Sequence, residues 1–341
     1  MHVPLWVWLV TSAVFLGLFI FDFYAHVRTP HEPTFRESGF WSAFYVALAL
    51  LFGVGMGVVW GWDHGGEYFA GYVTEKSLSV DNLFVFLIIM TKFAVPRIYQ
   101  QKVLLVGVAI ALVLRTVFIL AGAAAISAFS WVFYLFGAFL IYTAIKLARE
   151  DHDSDEPEEF KENRLVRTLR RVLPTTTAYD GDRLTTRIDG KRHITPMLIV
   201  MVAIGSTDVL FALDSIPAIF GLTKEPFIVF TTNAFALLGL RQLYFLIGGL
   251  LKRLIYLSEG LSLILAFIGV KLVLEALHTN EVPFINGGEN VGWAPEIPTW
   301  FSLCFILLTL TVATVASLVA TRRQARAAEL ESSEVEAPDA G

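Results

Sequence analysis

Residues 74–86 read TEKSLSVDNLFVF, and residues 207–219 read TDVLFALDSIPAI. Each opens with a threonine and a carboxylate, runs five residues to an aspartate, and follows it with a small polar residue. Glu75, Asp81 and Asn82 thus stand opposite Asp208, Asp214 and Ser215. Both stretches lie inside long apolar runs. An ionised aspartate near the centre of a bilayer costs about 2.5–3.5 kcal/mol on an insertion scale. Such acids persist only if they are paired, protonated or neutralised by a visiting cation.

The rest of the chain says what surrounds them. Of 341 residues, 55% are hydrophobic and only 17% charged, with mean hydropathy +0.63. Soluble domains carry about 25% charged residues. Apolar runs of about 18–25 residues recur, each long enough for a hydrocarbon core of about 30 Å. The expectation is an all-α, polytopic membrane bundle of nine spans, at about 4–24, 39–61, 66–91, 103–123, 128–147, 195–220, 227–248, 258–278 and 299–320. Loop charge supports that count. Segments 25–38, 92–102, 148–194, 249–257 and 321–341 carry nearly all the loop cations, while 62–65 and 279–298 have none and 221–226 has only Lys224. By the positive-inside rule the N-terminus is expected outside and the C-terminus in the cytoplasm, in the cell (inner) membrane. The first apolar run has no basic n-region and no cleavage pattern, so it is expected to be a retained span. The single cysteine, Cys304, can form neither an internal disulfide nor a cysteine-rich metal site.

The pattern divides the chain into two N-terminal spans (1–65), a three-span unit (66–147), a cytoplasmic loop (148–194), a second three-span unit (195–278), an outer loop with the ninth span (279–320) and an acidic tail expected to be disordered (321–341). Within the loop, NRLVRTLRRVL has the spacing of a short basic helix, and RLTTRIDGKRHIT has a hairpin pattern with an Asp189–Gly190 turn. That loop is also the surface most available to a protein partner.

The two three-span units are a repeat. Beyond the acidic motifs, ALVLRTVFILAG (111–122) matches LLGLRQLYFLIG (237–248), aligning Arg115 with Arg241, and AIKLARE (144–150) matches GVKLVLE (269–275), aligning Lys146 with Lys271. An odd number of spans per unit means that the copies enter the membrane from opposite sides. Inverted repeats of this kind build many secondary transporters, with a substrate site near the midplane.

Spacing limits how the acids can act. Positions six apart on a helix differ by about 120° and 9 Å, so Glu75 and Asp81 cannot grip one ion from one regular helix. Antiparallel packing of spans 3 and 6 would instead set Glu75 level with Asp214, and Asp81 level with Asp208. Asn82, Ser215, Thr74 and Thr207 share faces with these acids, and Pro217 frees a carbonyl near Asp214. Carboxylate, amide, hydroxyl and carbonyl oxygens favour hard divalent cations such as Mg²⁺, Ca²⁺ or Mn²⁺. The plainer reading is that Arg115, Arg241, Lys76 and Lys271 pair with the acids and lock the bundle. Asp22, late in span 1, faces either the same cavity or the headgroups. Asp63, His64 and Glu67 form either an acidic vestibule or a solvated loop. No Walker loop, dinucleotide fingerprint, nucleophile elbow or HExxH occurs, so no enzyme, resident cofactor, ATP coupling or nucleic-acid partner is expected.

EKSLSVDNLFVF, FALDSIPAIF, PFIVFTTNAFALLGLRQLYFLIGGL and FGAFLIYTAIKLARE together resemble the TerC family of integral membrane proteins, including its Alx branch, over roughly residues 5–320. The family is named for tellurium resistance, and the resemblance implies manganese efflux. It places the acidic motif residues on Glu75, Asp81, Asn82, Asp208, Asp214 and Ser215. Some members carry a further glutamate near the position held here by Gly205. The expected function is export of a divalent cation, most simply Mn²⁺. The alternatives are a membrane scaffold or stress-resistance protein without transport, or an exporter of a small organic solute.

Overall fold

A computed structural model describes residues 1–24, 32–129, 131–153, 174–176, 178–188, 191–247, 255–278, 282, 286, 289, 291 and 293–335. The protein is an all-α polytopic bundle. Its helices are α1 (Leu5–Asp22), α2 (Phe35–Trp60), α3 (Trp62–Lys92), α4 (Arg97–Ala128), α5 (Val132–Asp153), α6 (Pro196–Phe220), α7 (Pro226–Leu237), α8 (Leu240–Ile247), α9 (Leu257–His278) and α10 (Thr299–Val335). Local chemistry sets several starts. Thr34 and Glu37 cap α2 reciprocally, and prolines open α6 and α7, where a missing N–H leaves no helical bond unmade. Apolar side chains such as Leu5, Leu51, Val58 and Leu308 stand exposed on the bundle exterior, a surface suited to lipid.

Among the described residues, seven helices are long and apolar enough to cross a membrane: α1, α2, α4, α5, α6, α9 and α10. The two remaining expected spans depart from a plain apolar helix for different reasons. α3 is 31 residues long, and its charged residues lower its hydropathy. The seventh span is broken into α7 and α8, of 12 and 8 residues, about 18 and 12 Å long, which together match one bilayer core.

The break falls at Leu238–Gly239, where Leu238 turns extended (ψ 132°) and Gly239 adopts φ +77°. A Cβ on Gly239 would also come within 3.1 Å of Tyr45, so glycine is required for both backbone and space. The repeat-equivalent residue, Val113, lies inside the unbroken α4. Carbonyls released at a helix end inside a membrane need a donor. Here the donor is Lys76, whose Nζ gives hydrogen bonds to the carbonyls of Ala236 (3.1 Å) and Leu238 (3.5 Å). Lys76 is itself a departure from the repeat, since Val209 stands at its equivalent. The two asymmetries are partners: the glycine opens the helix and the lysine caps it.

Helices α3, α4, α6 and α7 pack against one another at the centre, and α6 is the most buried of the seven apolar spans. α5 and α9 pair beside them. They approach so closely that a Cβ on Gly137 would meet the Gly269 carbonyl at 2.8 Å, and one on Gly269 the Gly137 carbonyl at 3.0 Å. α1, α2 and α10 lie at the periphery.

The remaining differences from expectation concern segment ends. Asp63, His64 and Glu67 sit in the first turns of α3, because Gly61 (φ +101°) ends α2 and lets the next helix start at once. The tail expected to be disordered from 321 continues α10 as far as Val335, in a stretch rich in the helix formers Ala, Glu and Leu. In the long loop, β1 (Thr185–Ile188) and β2 (Lys191–Ile194) pair antiparallel as the hairpin pattern requires, with Ile188 opposite Lys191. The Asp189–Gly190 turn and the basic stretch 164–173 lie outside the described residues. The loop is tied to the α3–α4 corner: the Tyr179 hydroxyl donates to the Phe93 carbonyl (2.8 Å), and Lys102 pairs with Asp182 (2.6 Å). Burial pushes the Tyr179 hydroxyl up to about 12, whereas the hydrogen bond from Lys102 holds the Asp182 carboxyl below its ordinary range.

Gly239→Ala is expected to lose about 1–3 kcal/mol, the scale of a strained backbone residue. Thermal unfolding of the purified variant in detergent measures this, and an unchanged midpoint would mean that the break is not fixed at this residue.

Candidate functional site

The centre of the bundle is organised by one guanidinium. Arg115 on α4 is 1% exposed. Its Nε and Nη2 donate to the two oxygens of Asp208 on α6, at 3.0 and 3.1 Å, the planar fork that arginine makes with a carboxylate. Its Nη1 donates to Glu75 Oε2 on α3 at 3.0 Å. The acids are repeat equivalents, so the first acid of each copy meets its counterpart on a shared arginine. The other Glu75 oxygen, Oε1, accepts from Asn233 Nδ2 on α7 at 3.0 Å. Four spans therefore contribute one residue each: α3, α4, α6 and α7.

Two carboxylates share one guanidinium, so with both acids ionised the cluster holds one excess negative charge. In a low-dielectric interior an uncompensated charge of that sign is costly and attracts a cation. The amide adds direction. An ionised carboxylate only accepts hydrogen bonds, so the Asn233 NH₂ must face Glu75 and its Oδ1 must face away. That Oδ1 is buried and has no hydrogen-bond partner among the described residues. Leaving such an acceptor unmade costs about 1–3 kcal/mol.

Arg241, the repeat equivalent of Arg115, serves a second buried cluster. It opens α8 just after the break, and its Nη2 donates to Asp22 at 2.8 Å and its Nη1 to Gln101 at 2.6 Å. The same Asp22 oxygen accepts from Tyr45 and Gln242, each at 3.1 Å. Asp22 is thus buried between helices and not directed to the headgroups.

The other expected residues divide. Glu75 and Asp208 come together, with Arg115 between them, whereas the helical spacing paired Glu75 with Asp214. The side chains of Asp81 and Asp214 lie outside the described residues. Thr74 and Thr207 behave alike, each donating to the carbonyl one turn earlier, Ala70 and Ala203, at 2.8 Å. Asn82 and Ser215 are buried, and the Ser215 hydroxyl has no hydrogen-bond partner among the described residues. α6 runs through Pro217 to Phe220 without ending. At Gly205 a Cβ would press on Ile110 at 3.2 Å, so a glutamate here would need the α4 side chain to move. Lys76 caps the α7 break, and Lys271 donates to Ser302 (3.3 Å). Lys271 lines a separate cavity of about 450 Å³ with His64, Glu67, Lys224 and Glu275. Among the described residues no three His, Cys, Asp or Glu gather as a ready metal cluster. Asn233 was not singled out by sequence reasoning, though an amide midway along an apolar span is the same signal that marked the acids.

Comparison with known proteins agrees with this architecture. Residues 60–325 match the model of the integral membrane protein TerC family. An uncharacterized membrane protein of Mycobacterium tuberculosis is 52% identical over 94% of this chain and 81% of its own. The thylakoid membrane protein TERC of Arabidopsis thaliana is 45% identical over 72% of this chain and 63% of its own. The putative membrane-bound redox modulator Alx of Escherichia coli is 40% identical over 72% of this chain and 78% of its own. No solved structure matches.

Removing the shared cation alone should be severe. Arg115→Gln leaves two buried carboxylates facing each other and is expected to cost about 3–5 kcal/mol, while combining it with Glu75→Gln and Asp208→Asn restores most of that loss. Detergent unfolding of the single and triple variants tests this; a mild single variant would show that the guanidinium does not hold the centre.

Proposed function

The chain belongs to the TerC family of integral membrane proteins, and we propose that it exports a divalent cation, Mn²⁺ foremost, through the Glu75–Arg115–Asp208 centre. The observation that carries this reading is the charge count at the centre: two buried carboxylates, one from each copy of the repeat, share a single arginine. A balanced ion pair would leave no charge for a visiting cation to neutralise. The unbalanced one has room for a charge that comes and goes. A proton and a metal cation compete for it, which supplies the chemistry for exchanging one against the other. The Asn233 oxygen at this centre belongs to the hard-cation class, as do those of Asn82 and Ser215, about two turns along α3 and α6 from Glu75 and Asp208.

The broken seventh span supports the same reading. Half-helices that end near the middle of a membrane are where secondary transporters place substrate and coupling ions. α7 ends after 12 residues, short of a full crossing, with Asn233 one turn before its end and Lys76 on its terminal carbonyls. With the cation-rich loops in the cytoplasm, export in this reading carries the cation from their side of the cell membrane to the other. In this reading the protein is a carrier. A second reading, a locked bundle without transport, draws on the two-bond Arg115–Asp208 fork, and the same substitutions separate the two.

Cells lacking the protein and loaded with Mn²⁺ should lower their manganese content when given wild type, and fail to when given Glu75→Gln or Asp208→Asn at equal membrane abundance. Elemental analysis of washed cells reads this out. Equal manganese in all strains would exclude export.

A further inference from the structure

The bonds at the centre are unequal. Arg115 holds Asp208 with two hydrogen bonds and Glu75 with one. Glu75 is therefore the acid that can leave the guanidinium while Arg115 and Asp208 stay joined. Its other oxygen rests on Asn233, whose Oδ1 is turned away from the carboxylate, buried and without a hydrogen-bond partner among the described residues. An amide oxygen and nitrogen lie about 2.2 Å apart, which puts Oδ1 within about 5 Å of Glu75 Oε1. Metal–oxygen distances of about 2.0–2.6 Å let one cation span two oxygens at that separation.

Resting on the transport reading above, we infer that Asn233 is a ligand of the transported cation, binding through Oδ1 beside a Glu75 carboxylate released by Arg115. Glu75 and Asn233 form the exchangeable half of the site, and Arg115 with Asp208 the fixed half. The amide first holds Glu75 through Nδ2 and then offers the cation its oxygen, so the same side chain serves the empty and the loaded site. A neutral oxygen is what this position needs. Glu75 and the excess charge already supply the attraction, and a third carboxylate would add repulsion with the site empty. α7 presents the amide from a fixed place, because residues 227–237 are buried throughout and Lys76 anchors the end of the helix. Sequential residues of α3 thus clasp α7 twice, Glu75 at the Asn233 side chain and Lys76 at the backbone.

Proteoliposomes containing the full chain, assayed with Mn²⁺, Mg²⁺ and Ca²⁺ as separate probes, test the assignment. Asn233→Leu, close in size, and Asn233→Ala are expected to raise the half-saturating Mn²⁺ concentration by roughly tenfold or more, the scale of losing a metal-site contact. They should also alter the preference among the three cations, while the maximal rate per folded chain changes less. If neither variant folds, Asn233→Gln, which keeps the amide and shifts its oxygen, should show the same change in preference. Unchanged half-saturation and preference in a folded variant, with Glu75→Gln inactive, would overturn the assignment and leave cation transport standing. If wild type moves none of the three cations, both fall together.

Discussion

One constraint underlies the rest of the structure: a single guanidinium must satisfy two carboxylates where water cannot. Arg115 is always charged, and its planar fork suits the two oxygens of Asp208 better than a lysine would. With that fork committed to Asp208, Nη1 is the nitrogen that reaches Glu75, through a single bond to Oε2, and the fourth carboxylate oxygen finds another partner. Asn233 is that partner, and it sits on α7. The need to bring an amide from the seventh span to an acid on the third fits the way α3, α4, α6 and α7 pack at the middle. α1, α2, α5, α9 and α10 stand around them.

The repeat is symmetric in sequence motif but not in use. Arg115 serves both first acids, whereas Arg241 turns to Asp22 on α1, a helix outside the repeat. The turning point is Gly239, which breaks the seventh span two residues before Arg241. The equivalent Val113 leaves the fourth span whole, so Arg115 remains within reach of the centre. Lys76 completes the asymmetry by capping the break. Its ammonium is bound to backbone carbonyls, which explains how it sits next to Glu75 in sequence without becoming that acid's partner. A carrier alternating between two faces needs two unequal halves at any moment. Arg115 and Arg241 show such an inequality in side-chain terms.

Much of this was legible in the sequence, and the parts that were not share a cause. Span positions follow from apolar runs, and the importance of Glu75 and Asp208 from the cost of placing them there. Arg115 and Arg241 were visible as a pair through the repeat. Which acid each would choose was not, because helical periodicity fixes the face of a residue and not the partner across the bundle. Levels drawn from spacing set Glu75 against Asp214, whose side chain lies outside the described residues; the packing of α3, α4 and α6 adds a contact to Asp208 through Arg115 that spacing did not indicate. The break at Gly239 carried a signal in LLGLR, a glycine inside an apolar span, but glycine also marks close helix packing, as at Gly137 and Gly269. Asn233 was legible by the same rule as the acids, being a polar group midway along a span.

The most direct measurement is the binding of Mn²⁺ itself to the purified chain, followed by electron paramagnetic resonance. Free aqueous Mn²⁺ gives a sharp six-line signal that is lost on binding. Wild type should deplete that signal in a saturable way that acid suppresses, and the double variant Glu75→Gln, Asp208→Asn should leave it intact. Equal depletion by both proteins would contradict the claim that the acids shared by Arg115 form the cation site.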